Sequence, residues 1–464
     1  MPYFCYIVEC ADGSFYTGWT LDPARREQQH NAGTGATYTR LHRPVHLVYI
    51  EEVSDRSAAM KREVAIKRMD HTRKQSLIRK AEGNHPLNTH PTPTLTVLSP
   101  ARVNLLGEHV DYNEGLVLPA AIDRYVTIKA SPSSDQTISL HALDLKASCQ
   151  FSLDSLEQKK DIEGADLPVW AQYPAGVAWV FMNHGLEIRG VDVEYFSTIP
   201  MGSGLSSSAA VEVGFAVMWQ ALAGWKLDRL TLAQFCQEAE NRYVGVNCGL
   251  MDQFACANGV KDHAVLLDTR TLESTPVPLP EDAAIVIADS GVRRVLSDSS
   301  YNERRSDCET AVRLVKPGYP GIRSLRDVTP TQLDASKDLL PAVVYKRARH
   351  VVTEVARVQE ALGRLQNNDA RGFGELMLET HASLRDDYEV STPELDALVE
   401  IAMELPGCLG ARLTGAGFGG CTVNLVQNRN VPGFIRKLKK SYLARTGKKA
   451  EVFACHATQG AIVK

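Results

Sequence analysis

A run of glycines and serines between residues 200 and 210 has the composition of an anion-binding loop. Its sequence is Pro-Met-Gly-Ser-Gly-Leu-Ser-Ser-Ser-Ala-Ala, and an apolar segment of helical character follows it. Gly202 and Gly204 allow the backbone to approach a phosphate closely, and the free N–H groups of the first helical turn point at the ligand. Because no Gly-Lys-Ser/Thr follows, this is not a Walker A loop. The alternative is a Gly/Ser loop with a serine N-cap.

A second cluster of polar side chains precedes it, between two apolar runs that are typical of strands. The cluster surrounds Gly107 and consists of Arg102, Glu108, His109 and Asp111. Two carboxylates and a histidine suit a polyhydroxylated ligand, since each sugar hydroxyl both donates and accepts a hydrogen bond. The alternative is that these groups are loop caps and a surface ion pair.

A further acid, Asp252, stands beside Gly249 in an otherwise apolar run. A carboxylate in such a run is either paired structurally or positioned for chemistry, and the residues alone leave both open. Near the C-terminus the glycines of 415–420 satisfy GxGxxG, but they open onto a predicted strand, where a dinucleotide-binding fingerprint requires a helix. We therefore predict a glycine turn that shapes a nucleotide pocket.

The elements around these motifs alternate between strands and helices, as expected of an α+β protein. The apolar helix behind the Gly/Ser loop should end near Gly224. The other elements predicted in this part are helices over 170–184, 230–244 and much of 340–405, and strands over 190–196, 265–268, 284–289 and 421–426.

The first 80 or so residues predict a separate small unit with a three-stranded sheet. Residues 3–18 favour a β-hairpin, because two β-prone runs flank Asp12-Gly13. Asp22 and Pro23 indicate the start of a helix over 24–32. The remaining predicted elements are a strand over 45–53, a helix capped by Asp55 and a helix over 72–81.

Composition is that of a globular protein, with 464 residues, 44% apolar residues and a net charge of −4. The ten cysteines form no CxxC pair, which indicates reduced thiols. No apolar run is long enough to span a bilayer, so we expect a cytosolic protein without a membrane partner. Residues 56–80 include nine basic residues and only two acidic ones, Glu63 and Asp70. Such a run is either a solvated face or a nucleic-acid footprint.

Residues 83–94 carry three prolines and predict an extended, semi-rigid linker. We therefore divide the chain into a small unit over 1–82, this linker, and a larger part over 95–464. A linker of this kind indicates two tethered modules.

The small unit resembles the GIY-YIG nuclease superfamily. Tyr6 stands at the tyrosine of its first motif, and Tyr16-Thr17-Gly18 corresponds to the second. Arg26 matches the helix arginine, and Glu63 matches the single metal-binding carboxylate. The resemblance implies cleavage of a phosphodiester in DNA with one divalent cation. The first motif is Phe4-Cys5-Tyr6 instead of Gly-Ile-Tyr, which leaves open a degenerate module whose tyrosines pack the sheet.

The larger part resembles the galactokinase branch of the GHMP small-molecule kinases. Three motifs carry the resemblance in order: residues 102–113, residues 202–208 and residues 414–420. The first departs from the usual pattern in having Ala101 where glycine is more common. The resemblance implies a fold of two lobes, over 95–284 and 285–464. It also implies phosphorylation of the anomeric hydroxyl of galactose, with ATP and Mg2+.

The same resemblance implies a role for each motif residue. Glu108, His109, Asp111 and Tyr301 would bind the sugar. Asp252 would take the proton of the anomeric hydroxyl, or act as an electrostatic partner, and Arg102 would keep it ionised. Ser208 and Glu240 would hold Mg2+. The ATP phosphates would bind to Gly202, Ser203, Gly204, Leu205, Ser206, Ser207 and Ser208.

Other functions remain open at this point. A related sugar such as N-acetylgalactosamine would need spare room beside the second carbon of the sugar. A DNA-processing protein with a vestigial kinase half belongs to a different class, and intact Arg102, Ser208, Glu240 and Asp252 weigh against it. A sugar-binding sensor is a third alternative.

Overall fold

The computed structural model describes residues 3–12, 14–71, 73–74, 77–78, 95–293 and 297–464. The chain divides into two compact units, Met1–Pro91 and Thr92–Lys464. The predicted linker over 83–94 lies outside the described residues, as do Gly13 and most of the predicted helix over 72–81. The boundaries at 82, 94 and 284 stay predictions.

The first unit is a three-stranded antiparallel sheet in the order β2-β1-β3, as predicted. Its helix α1 begins where expected, because the Asp22 side chain accepts the N–H of Arg25 and Pro23 occupies the first turn. Asp55 likewise caps α3 through the N–H of Ala58. The described elements are β1 Tyr3–Cys10, β2 Phe15–Thr20, α1 Pro23–Asn31, α2 Thr37–Leu41, β3 Val45–Val53 and α3 Arg56–Lys67.

The described residues of the second unit form three sheets, whose strand orders are β16-β4-β6-β9-β7-β8, β11-β10-β5 and β13-β14-β12-β15. All described strand pairs in it are antiparallel except β7 with β9. The strands are β4 Leu95–Asn104, β5 Leu116–Val117, β6 Pro119–Pro132, β7 Thr137–Ala142, β8 Ala147–Ser152, β9 Val191–Ser197, β10 His263–Asp268, β11 Ser274–Pro278, β12 Ala283–Asp289, β13 Cys408–Thr414, β14 Cys421–Gln427, β15 Glu451–Cys455 and β16 Ile462–Val463.

Helices cover these sheets, which confirms the predicted α+β class. Gly224 ends α5 with a φ of 79°, as predicted. The helices are α4 Val169–Asn183, α5 Ser207–Ala223, α6 Arg229–Glu238, α7 Met251–Asn258, α8 Ser297–Val315, α9 Pro330–Ala335, α10 Ala342–Gln366, α11 Ala370–Asp386, α12 Pro393–Glu404 and α13 Val431–Thr446.

The main departure from the predicted elements lies between 230 and 244. The α-helix α6 stops at Glu238, and residues 239–244 form a π-helical turn. Both Gly245 and Val246 donate their N–H groups to the carbonyl of Glu240, which widens the turn. Such turns are frequent at functional sites, and this one carries Glu240.

Buried apolar side chains from β4, β6, β9 and the helix α5 form one continuous core in the second unit. The Gly/Ser loop stands at the N-terminal end of α5, so its backbone is anchored by a helix whose residues 212–219 are all buried. Within the described ranges, no helix has the length and apolar character needed to cross a membrane. All ten cysteines are free thiols, in agreement with the prediction.

Candidate functional site

The Gly/Ser loop turns sharply before α5. Gly202 and Gly204 have φ values of 63° and 80°, and Ser206 also lies in the left-handed region with a φ of 58°. The helix begins at Ser207, so the free N–H groups of its first turn lie beside the cavity that the loop lines. Ser206 makes no side-chain capping bond, which argues against the ordinary serine N-cap. The loop has the geometry of an anion site.

Arg102 and Asp252 form a bidentate ion pair in the wall of the same cavity. Arg102 Nε donates to Oδ1 at 2.7 Å, and Nη2 donates to Oδ2 at 2.8 Å. Arg102 Nη1 also donates to the carbonyl of Gly204 at 2.8 Å, and the hydroxyl of Ser206 donates to Asp252 Oδ2. Burial disfavours the Arg102 charge, but Asp252 outweighs burial and raises the pKa of Arg102. The loop, the arginine and the acid are one hydrogen-bonded group.

The acids of the earlier cluster lie on the loop that follows β4. Glu108 is buried, and burial raises the pKa of its carboxyl. Burial, followed by the charge of Asp252, raises the pKa of Asp111 to about 7. The Asp111 carboxylate packs directly on Gly249, where a Cβ atom would overlap it. This explains the glycine at 249 and brings Asp111 toward Asp252.

Three buried residues that the sequence analysis did not single out hold this loop from behind. Arg412 forms an ion pair with Glu108 inside the protein. Glu354 Oε1 accepts the N–H of Gly107 at 2.8 Å, and His350 Nε2 donates to the carbonyl of Glu108 at 3.0 Å. Arg412 interrupts an apolar strand just before the glycine motif, a signal that could have identified it. Glu354 and His350 lie on an amphipathic helix and carry no such signal.

Both ring nitrogens of His109 have protein partners. Nε2 lies 3.2 Å from the carbonyl of Ala416, which only accepts, so Nε2 carries the proton. Nδ1 therefore accepts from the hydroxyl of Tyr112 at 2.9 Å, and Tyr112 in turn accepts from Tyr388 at 2.7 Å. The Tyr388 oxygen lies 3.3 Å from the thiol of Cys308, which completes a directed chain. The imidazole is fixed in one tautomer and one orientation.

Glu240 lies among donors at the opposite side of the cavity. Gln253 Nε2 donates to Glu240 Oε2 at 2.5 Å, and the Cys248 thiol donates to the same oxygen at 3.2 Å. Burial raises the pKa of this carboxylate to about 7, and the nearby Ser208 hydroxyl offsets part of the shift. The same Gln253 nitrogen bonds Glu212 at 3.0 Å. Ser208 and Glu240 are thus adjacent, as a shared cation would require.

The glycine motif forms a turn between β13 and β14, which confirms the predicted turn. Gly415, Gly417 and Gly420 all have positive φ values, of 81°, 77° and 85°. A Cβ atom at Gly420 would lie 2.7 Å from the carbonyl of Ser203, so glycine is needed for the close approach to the Gly/Ser loop.

These groups surround one cavity of about 420 Å³. The Tyr301 ring lies 5.7 Å from that of His109 and 5.5 Å from that of Tyr112. Arg293 lines the cavity beside Gly202 and was not predicted. The predicted residues that line it are Arg102, Glu108, His109, Asp111, Gly202, Gly204, Ser206, Ser207, Ser208, Glu240, Asp252 and Tyr301. Ser203 and Leu205, from the same loop, are buried behind it.

In the first unit, the residues predicted for a nuclease site also lie close together. The Tyr6 hydroxyl lies 3.4 Å from Arg26 Nε, and the charges of Arg26, Tyr16 and Glu63 all act on it. Burial is the main cause that raises the pKa of Tyr6 to about 12. Gly18 pairs with Tyr6 across the sheet, and a Cβ atom there would lie 2.6 Å from the hydroxyl. The glycine of the second motif therefore makes room for the tyrosine of the first.

Two further residues of this unit belong to the group. His30 Nε2 lies 2.7 Å from the Tyr6 hydroxyl, and Lys67 Nζ donates to Glu63 Oε1 at 2.6 Å. Within the described residues no three His, Cys, Asp or Glu side chains form a metal-binding group. Glu63 is the carboxylate available to a cation here, with Lys67 as its present counter-charge.

Four family descriptions match stretches of the chain. Residues 2–76 match the GIY-YIG catalytic domain. Residues 88–132 match the galactokinase galactose-binding signature, residues 172–260 match the GHMP kinases N terminal domain, and residues 359–443 match the GHMP kinases C terminal domain.

Curated relatives and a solved structure agree with these matches. A galactokinase of Roseiflexus sp. (strain RS-1) is 45% identical over 368 residues, which are 79% of this chain and 92% of the relative. A galactokinase of Chloroflexus aurantiacus is 43% identical over 371 residues, 80% of this chain and 93% of the relative. The crystal structure of Lactococcus lactis galactokinase complexed with galactose is 36% identical, with a TM-score of 0.76 over 84% of this chain and 99% of that one.

Proposed function

The chain belongs to the galactokinase family, and we propose that it transfers the γ-phosphoryl group of ATP to the anomeric hydroxyl of galactose. The observation that carries this proposal is the Arg102–Asp252 pair, which joins the two halves of one cavity. On one side of the pair are the acids of the 102–113 motif, and on the other is the anion-binding loop. A sugar hydroxyl and a phosphate bound to these two halves would meet at Asp252.

Glu108, His109, Asp111 and Tyr301 are the groups proposed to hold the sugar. Glu108 and Asp111 supply acceptors for hydroxyl protons, and the fixed imidazole and the Tyr301 ring supply a rigid wall. Their positions depend on Arg412 and Glu354, which hold the loop behind them. Ordering these groups before the sugar binds lowers the entropic cost of orienting the reacting hydroxyl.

Asp252 is proposed to receive the proton of the reacting hydroxyl. Three donors already bond its carboxylate, two from Arg102 and one from Ser206. A carboxylate has about four acceptor sites, so one remains, on Oδ1, for the sugar hydroxyl. As the hydroxyl oxygen attacks phosphorus, its proton passes to Oδ1 or is stabilised there, and Arg102 balances the charge that develops.

ATP and Mg2+ fit the residues on the other side of the cavity. The loop from Gly202 to Ser208 supplies backbone N–H groups and hydroxyls for phosphate oxygens. Ser208 and Glu240 would hold Mg2+, since Gln253 and Cys248 bond one Glu240 oxygen and leave the other free. A hydroxyl and one carboxylate, with waters and phosphate oxygens, are a normal magnesium ligand set. When bound, the cation neutralises charge on the phosphates.

ATP turnover against a panel of free sugars tests this function. We expect galactose to be the best substrate of the full-length protein, ahead of N-acetylgalactosamine and glucose. Asp252→Asn keeps the size of the side chain but weakens its charge interactions, and we expect it to lose about 100-fold or more in turnover. Absence of sugar-dependent ATP use would overturn the function, whereas unchanged turnover in the variant would overturn only the mechanism.

We propose a second function for residues 2–76, a divalent-metal-dependent cleavage of DNA. The supporting observation is the contact of the Tyr6 hydroxyl with both Arg26 and His30, with Glu63 nearby. A single carboxylate fits a hydrated cation that keeps most of its waters, and the cation would replace Lys67 as the partner of Glu63. When bound, the cation would lower the pKa of an attacking water. Arg26 would stabilise charge on the phosphate.

Cleavage of single-stranded, duplex and branched DNA by the full-length protein with Mg2+ or Mn2+ tests this second function. We expect cleavage to require the cation and to be lost in Glu63→Gln. A matched control is Glu52→Gln, an exposed acid on strand β3 of the same unit for which no ion pair is described. Absence of cleavage with every DNA form would favour the degenerate module.

A further inference from the structure

The helix α13 of the second unit carries five basic residues and no acidic one. Its flanks are equally poor in acids, since no aspartate or glutamate occurs between Glu404 and Glu451 in the sequence. The second unit as a whole has more acidic than basic residues. Positive charge is therefore concentrated on one helix of a unit whose net charge is negative.

The helical period sends these basic side chains away from the core. Phe434, Leu438 and Tyr442 recur every four residues and are buried among the apolar side chains beneath the helix. At about 100° per residue, four cations are centred on the opposite side and span roughly 160° of the circumference. All four are exposed, and we call them the α13 face (Arg436, Lys437, Lys439 and Lys440).

Neighbouring acids neutralise the cations beyond this face but not the face itself. Arg445 forms an ion pair with Glu400, and Lys448 Nζ lies 3.2 Å from Glu394 Oε1. Both acids belong to α12. Within the part of the chain that the structure describes, no member of the α13 face forms an ion pair. Four like charges within about 6 Å of helix axis repel one another, so an external anion stabilises them.

The surroundings of the α13 face favour a polyanion in water over an anionic membrane. A helix that binds a bilayer inserts an apolar side into it, but the apolar side of α13 already packs in the core. Leu443 is the only large apolar side chain of this helix that is exposed. Duplex DNA carries one negative charge per about 1.7 Å of its axis, a density that can supply a phosphate to each of the four cations.

We infer that the α13 face binds the phosphate backbone of nucleic acid, so that the second unit has a binding surface besides the cavity proposed for phosphoryl transfer. Such binding does not depend on base sequence, because phosphate contacts carry no sequence information. Each phosphate that is neutralised releases a counterion. Four contacts should therefore contribute about 3 to 4 to the slope of log affinity against log salt concentration. The inference does not rest on the cleavage proposed for the first unit.

Binding without cleavage tests the inference. The probe is a fluorescein-labelled DNA duplex of about 20 base pairs, which is much longer than the α13 face. Fluorescence anisotropy with the full-length protein in EDTA gives the Kd at salt concentrations between about 50 and 200 mM. The double variant Arg436→Gln/Lys440→Gln removes two cations that lie about one turn apart. We expect it to weaken binding at low salt by about tenfold or more and to lower the salt slope by about two.

The matched control is the double variant Lys226→Gln/Lys261→Gln. Both lysines are exposed residues of the second unit outside α13, and no ion pair is described for either. The control therefore changes the net charge by the same amount without touching the α13 face. We expect it to change the Kd by less than about threefold and to leave the salt slope unchanged. Melting temperatures establish that both variants remain folded.

Chemical acetylation followed by mass spectrometry locates the contact on the wild-type protein. The duplex should protect Lys437, Lys439 and Lys440 from acetylation and leave Lys226 and Lys261 as reactive as in the free protein. This measurement separates the α13 face from any DNA contact of the first unit.

Several results would overturn the inference. They are absence of duplex binding, equal weakening in both double variants, an unchanged salt slope in Arg436→Gln/Lys440→Gln, and lysines of the face that stay unprotected. Tighter binding to polyglutamate or to vesicles of phosphatidylserine and phosphatidylcholine, at equal anion concentration, would identify an acidic protein or a membrane as the occupant and overturn nucleic acid. Duplex binding that depends on the face, without cleavage of any DNA in Mg2+ or Mn2+, would support the inference and overturn only the nuclease.

Discussion

Replacing Glu354 by glutamine removes the charge that holds the loop after β4. Glu354 Oε1 accepts the N–H groups of Gly107 and Glu108. Oε2 accepts the hydroxyl of Thr380 at 2.8 Å and Arg357 Nε at 2.9 Å. All four partners are hydrogen-bond donors, and so is the amide nitrogen of glutamine. Whichever way the amide is oriented, this nitrogen lies against two of the donors. The substitution therefore leaves buried donors unsatisfied and removes the counter-charge of Arg357.

The size of the effect follows from the pKa of Glu354. Burial disfavours its charge, but Arg357 and other nearby cations outweigh burial and lower the pKa from 4.5 to about 2. This difference is worth about 3 kcal/mol of folding free energy. Because the folded pKa is depressed, the contribution is complete above about pH 4.5 and is lost as the pH falls toward 2. We expect Glu354→Gln to cost about 3 kcal/mol at pH 7 and roughly half of that at pH 3.

Urea unfolding followed by tryptophan fluorescence measures this loss. Four of the five tryptophans lie in the second unit, so the signal reports mainly on it. Glu360→Gln is the matched control, since Glu360 lies on the same helix and its ion pair with Arg364 is exposed. It should change stability by less than about 0.5 kcal/mol. Equal stability of Glu354→Gln and the wild type at pH 7, or a deficit that does not shrink at pH 3, would refute the reasoning.

Three further substitutions have defined expected results. Gly249→Ala should raise the KM for galactose about tenfold, as measured by steady-state kinetics, because the new Cβ overlaps the Asp111 carboxylate. Gln253→Leu should weaken Mn2+ binding with nucleotide, followed by electron paramagnetic resonance, by about tenfold or more, because it removes a donor that orients Glu240. Gly18→Ala should abolish DNA cleavage in a gel assay, because its Cβ would lie 2.6 Å from the predicted nuclease tyrosine's hydroxyl.

Each of these expectations has a result that would contradict it. Gly363→Ala is the control for the first substitution, since a Cβ atom at Gly363 would meet nothing within 4 Å. An equal rise in the KM for galactose in both variants would show that the overlap with Asp111 is not the cause. Unaltered Mn2+ affinity in Gln253→Leu would show that Glu240 needs no such support. Full cleavage by Gly18→Ala would show that the reaction does not depend on the position of the Tyr6 hydroxyl.

Local motifs predicted most of the candidate kinase site. Gly202, Gly204 and the serines after them specify a turn and a helix start within a few residues, so the loop was predictable from its own chemistry. The same holds for Asp22 and Asp55, whose capping bonds are made within three residues. A structural feature that depends on residues within one turn of each other can therefore be predicted from the sequence.

The buried residues that hold the candidate site from behind could not be predicted in this way. Glu354 lies 247 residues from Gly107, and the two meet only through tertiary packing. In the sequence it is one acid on an amphipathic helix, where solvated acids are common. The π-helical turn that carries Glu240 was missed as well, because the sequence predicted one continuous helix over 230–244. Contacts between residues as far apart in the sequence as Glu354 and Gly107 can be inferred only once the fold is known.

Helix α2 was missed for a different reason. It has only five residues, and no side chain caps its N-terminus at Ala36. Its position is set by the contact of Thr39 with His30, nine residues earlier in the chain. The aromatic residues Tyr16, Tyr38 and His42 were visible in the sequence, but the alignment of their rings was not.

The position of the new phosphate bond on the sugar tests the account of the second unit most directly. Phosphorus NMR of the products made by the full-length protein from ATP and galactose identifies the oxygen that is phosphorylated. We expect galactose 1-phosphate, no turnover of 1-deoxygalactose, and a loss of about 100-fold or more in Asp252→Asn. A product phosphorylated at another oxygen, or ATP-dependent phosphorylation of 1-deoxygalactose, would contradict the assignment of Asp252 to the anomeric hydroxyl.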